Sequence, residues 1–263
     1  MPDGDKNTRM QTGMLNIKLT SGENSMYKIA MCVETGEYHR IRNRVCQDAT
    51  GKCVQNGCAS VVLCDGAGSV EGSEKESEFV CSVLPEYLCE NFERLYTESD
   101  IEISKEIIGL LREKRVEAIG DIKLDCTMLA SCMSKDGRCL SLHIGDGIIL
   151  GDAGDGFEMV SEAENGDASN ITYFLSGKRA VDHLRITRKE CTTFFLTSDG
   201  LSDLLYTGKK IMNAVPVMSS WLNKYSEEEV EAKYKNEMYE LFSERTQDDM
   251  SVAVLTNIKN SGF

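Results

Sequence analysis

Basic residues are scarce in this chain. Lys and Arg number 29 against 43 Asp and Glu, a formal net charge of −14 over 263 residues. Nucleic-acid backbones and anionic membrane surfaces reward clustered Lys and Arg, so neither is expected as a partner. Histidine is scarcer still: the three present are not spaced as zinc ligands. No Cys-x-x-Cys pair occurs, and Cys53 and Cys58, the nearest thing to one, lack the second pair or histidine that would complete a site. No apolar run approaches the roughly 20 residues of a membrane span. The N-terminal Met1-Pro2-Asp3-Gly4-Asp5-Lys6 is polar, with no apolar signal region. A soluble, cytoplasmic protein is the expectation.

Cysteine, by contrast, is abundant. There are 11, mostly within apolar runs (Cys64, Cys81, Cys126, Cys132), where they read as small buried hydrophobes in a reducing compartment. No low-complexity linker or internal repeat divides the chain. Residues 1–13 are expected to be disordered and 14–263 to form one domain.

Short strand-like runs dominate the pattern: an edge strand over Met14 to Lys18, then Tyr27 to Glu34, Val61 to Cys64, a hairpin from Cys126 to Ile144, the Thr193 run and Met250 to Leu255. Ser73-Glu74-Lys75-Glu76 has capping-box spacing, and Val80, Leu84, Leu88 and Phe92 follow at helical spacing, with Pro85 expected to kink or split the helix. Further helices are expected from Ser104 to Ile119, Lys210 to Leu222 and Ser226 to Glu244. Grouped strands with helices inserted in blocks predict an α+β fold with largely antiparallel sheet.

Three of the strand-like runs end in Asp-Gly: Val61 to Asp65-Gly66, Leu140 to Asp146-Gly147, and Thr193 to Asp199-Gly200. A fourth corner, Asp248-Asp249, enters the last strand. Any one Asp-Gly pair is a common turn. Recurrence at strand ends, with the acid always first, predicts carboxylates converging on a hard cation. Such cations activate water and clamp phosphoryl oxygens. The basic stretch His39-Arg40-Ile41-Arg42-Asn43-Arg44 stands out against the acidic background. It reads equally as a solvated loop or as an anion site, since guanidinium forks match phosphate oxygens. If the stretch is extended, Arg42, Arg44, Cys46 and Asp48 share one face.

These residues resemble the metal-dependent protein phosphatases of the 2C type, in particular the bacterial branch with Cys-Gln-Asp and Asp-Gly-Ala-Gly-Ser motifs. Here those are Cys46-Gln47-Asp48 and Asp65-Gly66-Ala67-Gly68-Ser69, with His39 nine residues before Asp48 where that branch often has a histidine. Gly145-Asp146-Gly147 is similar to the family's Gly-Asp-Ser motif, Ser198-Asp199-Gly200-Leu201-Ser202-Asp203 to its Ser-Asp-Gly-Leu-Trp-Asp motif, and Asp248-Asp249-Met250-Ser251-Val252 to its Asp-Asn-Met-Ser-Val strand. The motifs fall in the family's order over residues 39–255.

The resemblance implies a four-layer αββα sandwich of two antiparallel β-sheets flanked by helices. It implies two Mg2+ or Mn2+ ions and a weaker third. Asp65 would bridge the two ions, Gly66 would lend its carbonyl, Asp199 and Asp248 would complete one ion, and Asp146 with Asp199 would hold the third. Asp48 would orient metal-held water, and Arg44 would bind phosphate. The implied activity is hydrolysis of phosphoserine or phosphothreonine in protein substrates by a metal-activated water, with a cognate kinase as a further partner. No cysteine nucleophile and no Cys-x5-Arg phosphate loop are expected. Two departures stand out: Gln47 replaces the family's Glu, and Asn43 occupies the usual phosphate-binding Arg position. They motivate the alternative of a catalytically silent module that binds a phosphoprotein or partner.

Overall fold

Alternation within single strands sets the layering. Along β3 (Cys58–Asp65), Val61 and Leu63 face one way and Val62 and Cys64 the other, and all four are fully buried. A strand buried on both faces needs a layer on each side. The computed structural model of the chain, described here for residues 26–121, 123–164 and 172–258, supplies those layers.

One sheet has the order β2 (Asp48–Gln55), β3, β4 (Met128–Ser134), β5 (Cys139–Ile144), β8 (Arg185–Thr187). The other has the order β1 (Tyr27–Glu34), β12 (Met250–Asn257), β9 (Thr193–Thr197), β6 (Ile148–Asp152), β7 (Phe157–Ser161). Two short strands, β10 (Tyr206–Thr207) and β11 (Lys210–Ile211), pair apart from both sheets. Every pairing is antiparallel. The helices are α1 (Glu37–Arg40), α2 (Ser73–Thr97), α3 (Asp100–Ile119), α4 (Ala180–His183), α5 (Asp199–Leu205), α6 (Ala214–Ser220) and α7 (Glu227–Glu237).

Between the sheets lie Ile29, Leu63, Leu129, Phe194, Leu196 and Leu255. Outside the first sheet, Leu84, Leu88 and Phe92 of α2 and Ile107 of α3 meet Val62, Ala130 and Leu142. Outside the second, Leu201, Leu222 and Tyr234 meet Phe195, Val252 and Val254. This is the α+β, four-layer αββα sandwich that the sequence predicts. Among the described residues no helix is long and apolar enough to cross a membrane.

Several local expectations give way. Pro85 neither splits nor ends α2, which runs unbroken for 25 residues. Its first turn has no capping box: the N-cap is Gly72, while Ser73 and Glu76 are drawn to tertiary partners. Helix α3 begins four residues before Ser104. The expected helix from Lys210 opens instead as a strand, with α6 starting only at Ala214. The capping box occurs at α7, between Ser226 and Glu229. Strand β1 is a sheet edge, and α7 covers it: Glu227 Oε1 accepts from the Ile29 N–H at 2.7 Å, and Glu231 Oε1 from the Met31 N–H at 3.3 Å. The expected strand at Met14 to Lys18 and the N-terminal 13 residues lie outside the described residues.

Candidate metal centre

Antiparallel pairing brings the starts of some strands beside the ends of others. Asp48 opens β2, and its register partner is Asp65, which ends β3. Asp146 sits in the turn from β5 to β6, Asp199 opens α5 directly after β9, and Asp248 precedes β12. All fall at one end of the sandwich. A cleft there is lined by Asp65, Gly66, Asp146, Asp199 and Asp248, together with Gln47, Asp249 and His39. Asp65, Asp146 and Asp199 each present a carboxylate oxygen, and the three oxygens lie within 4.8 Å of one another. Thr172 donates to Asp146 Oδ2 at 2.5 Å, and the Gly200 N–H to Asp199 Oδ1 at 2.6 Å.

So many carboxylates in a confined space resist ionisation. Burial, reinforced by Asp48, Asp199, Asp248 and Asp146, pushes the Asp65 carboxyl well above the usual range. Burial and the charges of Asp146 and Asp248 push Asp199 up to about 7. Burial pushes Asp48 up to about 7 as well, with Asp249 and Asp199 adding to it and the nearby Ser251 and Ser198 hydroxyls opposing it. Neither oxygen of the buried Asp48 carboxylate has a hydrogen-bond partner. Asp248 is raised too, by burial and by Asp249, although it is the most exposed of the set.

The role of Asp249 is not legible in the sequence motifs. Its carboxylate is buried and accepts three hydrogen bonds: from the Gly36 N–H at 2.7 Å, the Gln47 N–H at 2.7 Å and His39 Nδ1 at 2.9 Å. It ties the start of β12 to α1 and to the segment that enters β2. Gly36 and Gly200 permit this closeness, since a Cβ on either would lie 2.2 Å or 2.1 Å from the carbonyl oxygen of Asp248 or Asp249. The available signal was the second acid of the doublet, placed where an apolar strand begins. Gln47 is equally fixed. Its Nε2 donates to Val70 O at 3.1 Å and Ser73 Oγ at 2.6 Å, leaving Oε1 buried and unpartnered beside the cleft.

The arginine stretch is not extended. Residues 37–40 form α1 and a turn follows, with Asn43 at φ 53°, so the shared-face premise fails for Arg42. Arg42 stacks on Tyr38 at 3.7 Å, and Arg40 pairs with Glu37 at 3.6 Å. Arg44 is exposed and is not among the cleft-lining residues, although its N–H donates to His39 O at 2.9 Å. A Cys-x5-Arg spacing does occur, from Cys132 to Arg138, but within a strand and the turn after it. It is no phosphate loop: Cys132 is buried in β4 with its thiol pushed well up by burial, and Arg138 is paired with Asp136 and Glu93.

The donor set fits a divalent cation. Its clustered carboxylates offer oxygen and negative charge with no Lys or Arg among the lining residues, and Gln47 adds a buried amide oxygen that no hydrogen bond satisfies; Asp48, opposite Asp65 in the ladder, lies outside the lining. Comparison with known proteins finds relatives in sequence and in fold. Serine/threonine-protein phosphatase 3 of Escherichia coli (strain K12) is 25% identical over 171 residues, 60% of this chain and 66% of that one, just under two thirds of its length. The structure of the Streptococcus agalactiae (S. agalactiae) serine/threonine phosphatase shares the fold with a TM-score of 0.60 at 12% identity, over 88% of this chain and 99% of that one. RsbX, solved in complex with magnesium, gives a TM-score of 0.52 at 14% identity, over 89% and 97%. The family model described as Protein phosphatase 2C matches residues 35–243, and the chain belongs to that family.

Proposed function

We propose that this chain is a metal-dependent protein serine/threonine phosphatase working at a binuclear Mg2+ or Mn2+ centre. The observation that carries the reading is the trio of Asp65, Asp146 and Asp199, whose oxygens lie within 4.8 Å of one another in a cleft shared with Asp248. Asp65, the Gly66 carbonyl, Asp199 and Asp248 would hold the two ions, with Asp146 and Asp199 holding a third. The ions would neutralise the phosphoryl oxygens and activate the attacking water. Asp48, with two buried oxygens that lack hydrogen bonds, would orient metal-held water. Gln47 offers a neutral oxygen where the family has a carboxylate, so the site has one charge less to attract the second ion. Arg44, exposed and without an ion pair or side-chain hydrogen bond among the described residues, would bind the phosphoryl oxygens. The substrates would be phosphoserine and phosphothreonine proteins in the cytoplasm, a cognate kinase among them. We place residues 14–263 in a single catalytic domain.

The test is turnover of a phosphothreonine peptide and an aryl phosphate by chelated protein titrated with Mn2+ and Mg2+. Turnover that requires metal and survives thiol alkylation supports the reading. Metal binding by calorimetry without turnover would instead favour the silent phosphoprotein-binding module, the reading that Gln47 motivates.

A further inference from the structure

Resting on that reading, we propose that His39 is the proton donor to the departing serine or threonine oxygen, with Asp249 as its positioning residue. His39 is 3% exposed, yet it lines the cleft. Its Nδ1 lies 2.9 Å from Asp249 Oδ2, and a carboxylate there can only accept, so Nδ1 carries a proton. Its Nε2 is buried and has no partner. A buried ring nitrogen left unpaired calls for a ligand group to complete it.

The ring is held firmly. The Gly36 N–H fixes the Asp249 carboxylate through Oδ1 and the Gln47 N–H through Oδ2, the oxygen that meets His39, and the N–H groups of Arg42 and Arg44 both donate to the His39 carbonyl. The Tyr38 ring meets the imidazole edge-on, with centroids 5.5 Å apart. The cleft lining offers no Lys, Arg, Tyr or Cys for the same task, and the hydroxyl of Thr172 is already committed to Asp146. The carboxylates are needed ionised if they are to hold cations.

An alkoxide is a poor leaving group, so a donor at this point changes the rate. In the step, the attacking water's oxygen forms the new bond to phosphorus while the bond from phosphorus to the serine or threonine oxygen breaks. The donor is the imidazolium, protonated on both ring nitrogens: its Nε2 proton passes to that oxygen and yields the alcohol, while Nδ1 keeps its proton against Asp249. The proton released by the water returns to the imidazole, so the enzyme is unchanged at the end of the cycle and inorganic phosphate leaves.

The experiment compares wild type, His39→Asn and Asp249→Asn on a series of phosphate esters in Mn2+, from a nitrophenyl ester with a good leaving group to a phosphothreonine peptide with a poor one. Calorimetric Mn2+ binding is measured alongside. For His39→Asn, kcat on the peptide should fall by about 100-fold or more, while the nitrophenyl ester should lose less than about tenfold. The slope of rate against leaving-group acidity should steepen and Mn2+ affinity should hold. Asp249→Asn should steepen the slope less. Equal losses across the series, or none, would overturn the assignment while leaving the phosphatase reading intact. Absence of wild-type turnover on every ester would overturn both.

Discussion

Asp48 and Asp65 face each other as the last register pair of the β2–β3 ladder. Like charges directly opposite on a sheet repel, and Asp48 is the foremost charge acting on Asp65. The fold therefore tolerates strain at this corner that a divalent cation would relieve. Folded Asp48 and Asp199 hold their protons up to about pH 7, whereas an unfolded Asp releases its proton near 3.8. Between those values the folded state binds more protons, so stability is fully present below the lower value and is lost as pH rises through the upper one. Metal-free protein should melt several degrees lower at pH 8 than at pH 5, and Mn2+ or Mg2+ should restore the difference at pH 8. Calorimetric melts after chelation check this; a melting temperature that rises across that interval without metal would contradict it.

Removing one charge from the corner separates stability from function. Asp65→Asn should raise the melting temperature of the metal-free protein, by roughly 2–4 °C for each kcal/mol of repulsion removed. The same variant should lose the stabilisation by Mn2+ and should lose turnover by about 100-fold or more, since the charges of Asp48, Asp199, Asp248 and Asp146 all bear on Asp65. Melts with and without Mn2+, set beside aryl phosphate turnover, measure both effects. A variant stabilised by Mn2+ as strongly as wild type would remove Asp65 from the ligand set.

Gly51 on β2 packs against the Cys81 carbonyl of α2, and a Cβ there would lie 2.0 Å from that oxygen. Residue 85, four positions on, is the proline that cannot donate to the same carbonyl. Proline and glycine together let the helix backbone settle onto the strand. Gly51→Ala forces the two apart and should cost at least about 2 kcal/mol in urea denaturation. Because β2 begins at Asp48, Mn2+ affinity should weaken as well.

How far the sequence reaches depends on the length scale of the cause. The strand ends at Asp65, Asp146 and Asp199 are legible because each follows a run of apolar residues and each turns on a glycine. The double burial of β3 is legible in the unbroken apolar run from Val61 to Cys64. Events decided by distant partners are not. Pro85 should break a helix, but α2 lies on a sheet whose residue 51 is a glycine. Ser73 and Glu76 have capping-box spacing, but Gln47 and Arg115 take their side chains. The short helix α1 hides in a basic stretch because what fixes it is the Asp249 carboxylate more than 200 residues away in the chain.

Glu76 and Arg115 form the buried link between α2 and α3. Arg115 donates through Nε to Glu76 Oε2 at 2.7 Å and through a second nitrogen to Oε1 at 2.5 Å, with the two side chains only 10% and 5% exposed. A bidentate pair of this kind balances a large desolvation cost, so breaking it from one side is expensive. Glu76→Ala should cost about 3–5 kcal/mol, because it leaves a buried guanidinium with only the Phe79 ring 5.4 Å away. Replacing both residues by Met should cost much less, since the packing remains and no charge is stranded. The pair also sits one helical turn from Ser73, which accepts from Gln47 at 2.6 Å and donates to Ala67 O at 3.1 Å in the loop after Asp65. Glu76→Ala should therefore weaken Mn2+ binding together with stability, and the double Met variant should recover both. Urea denaturation paired with Mn2+ calorimetry on the three proteins distinguishes this coupling from a purely local loss, in which stability would fall and metal affinity would stay where it was.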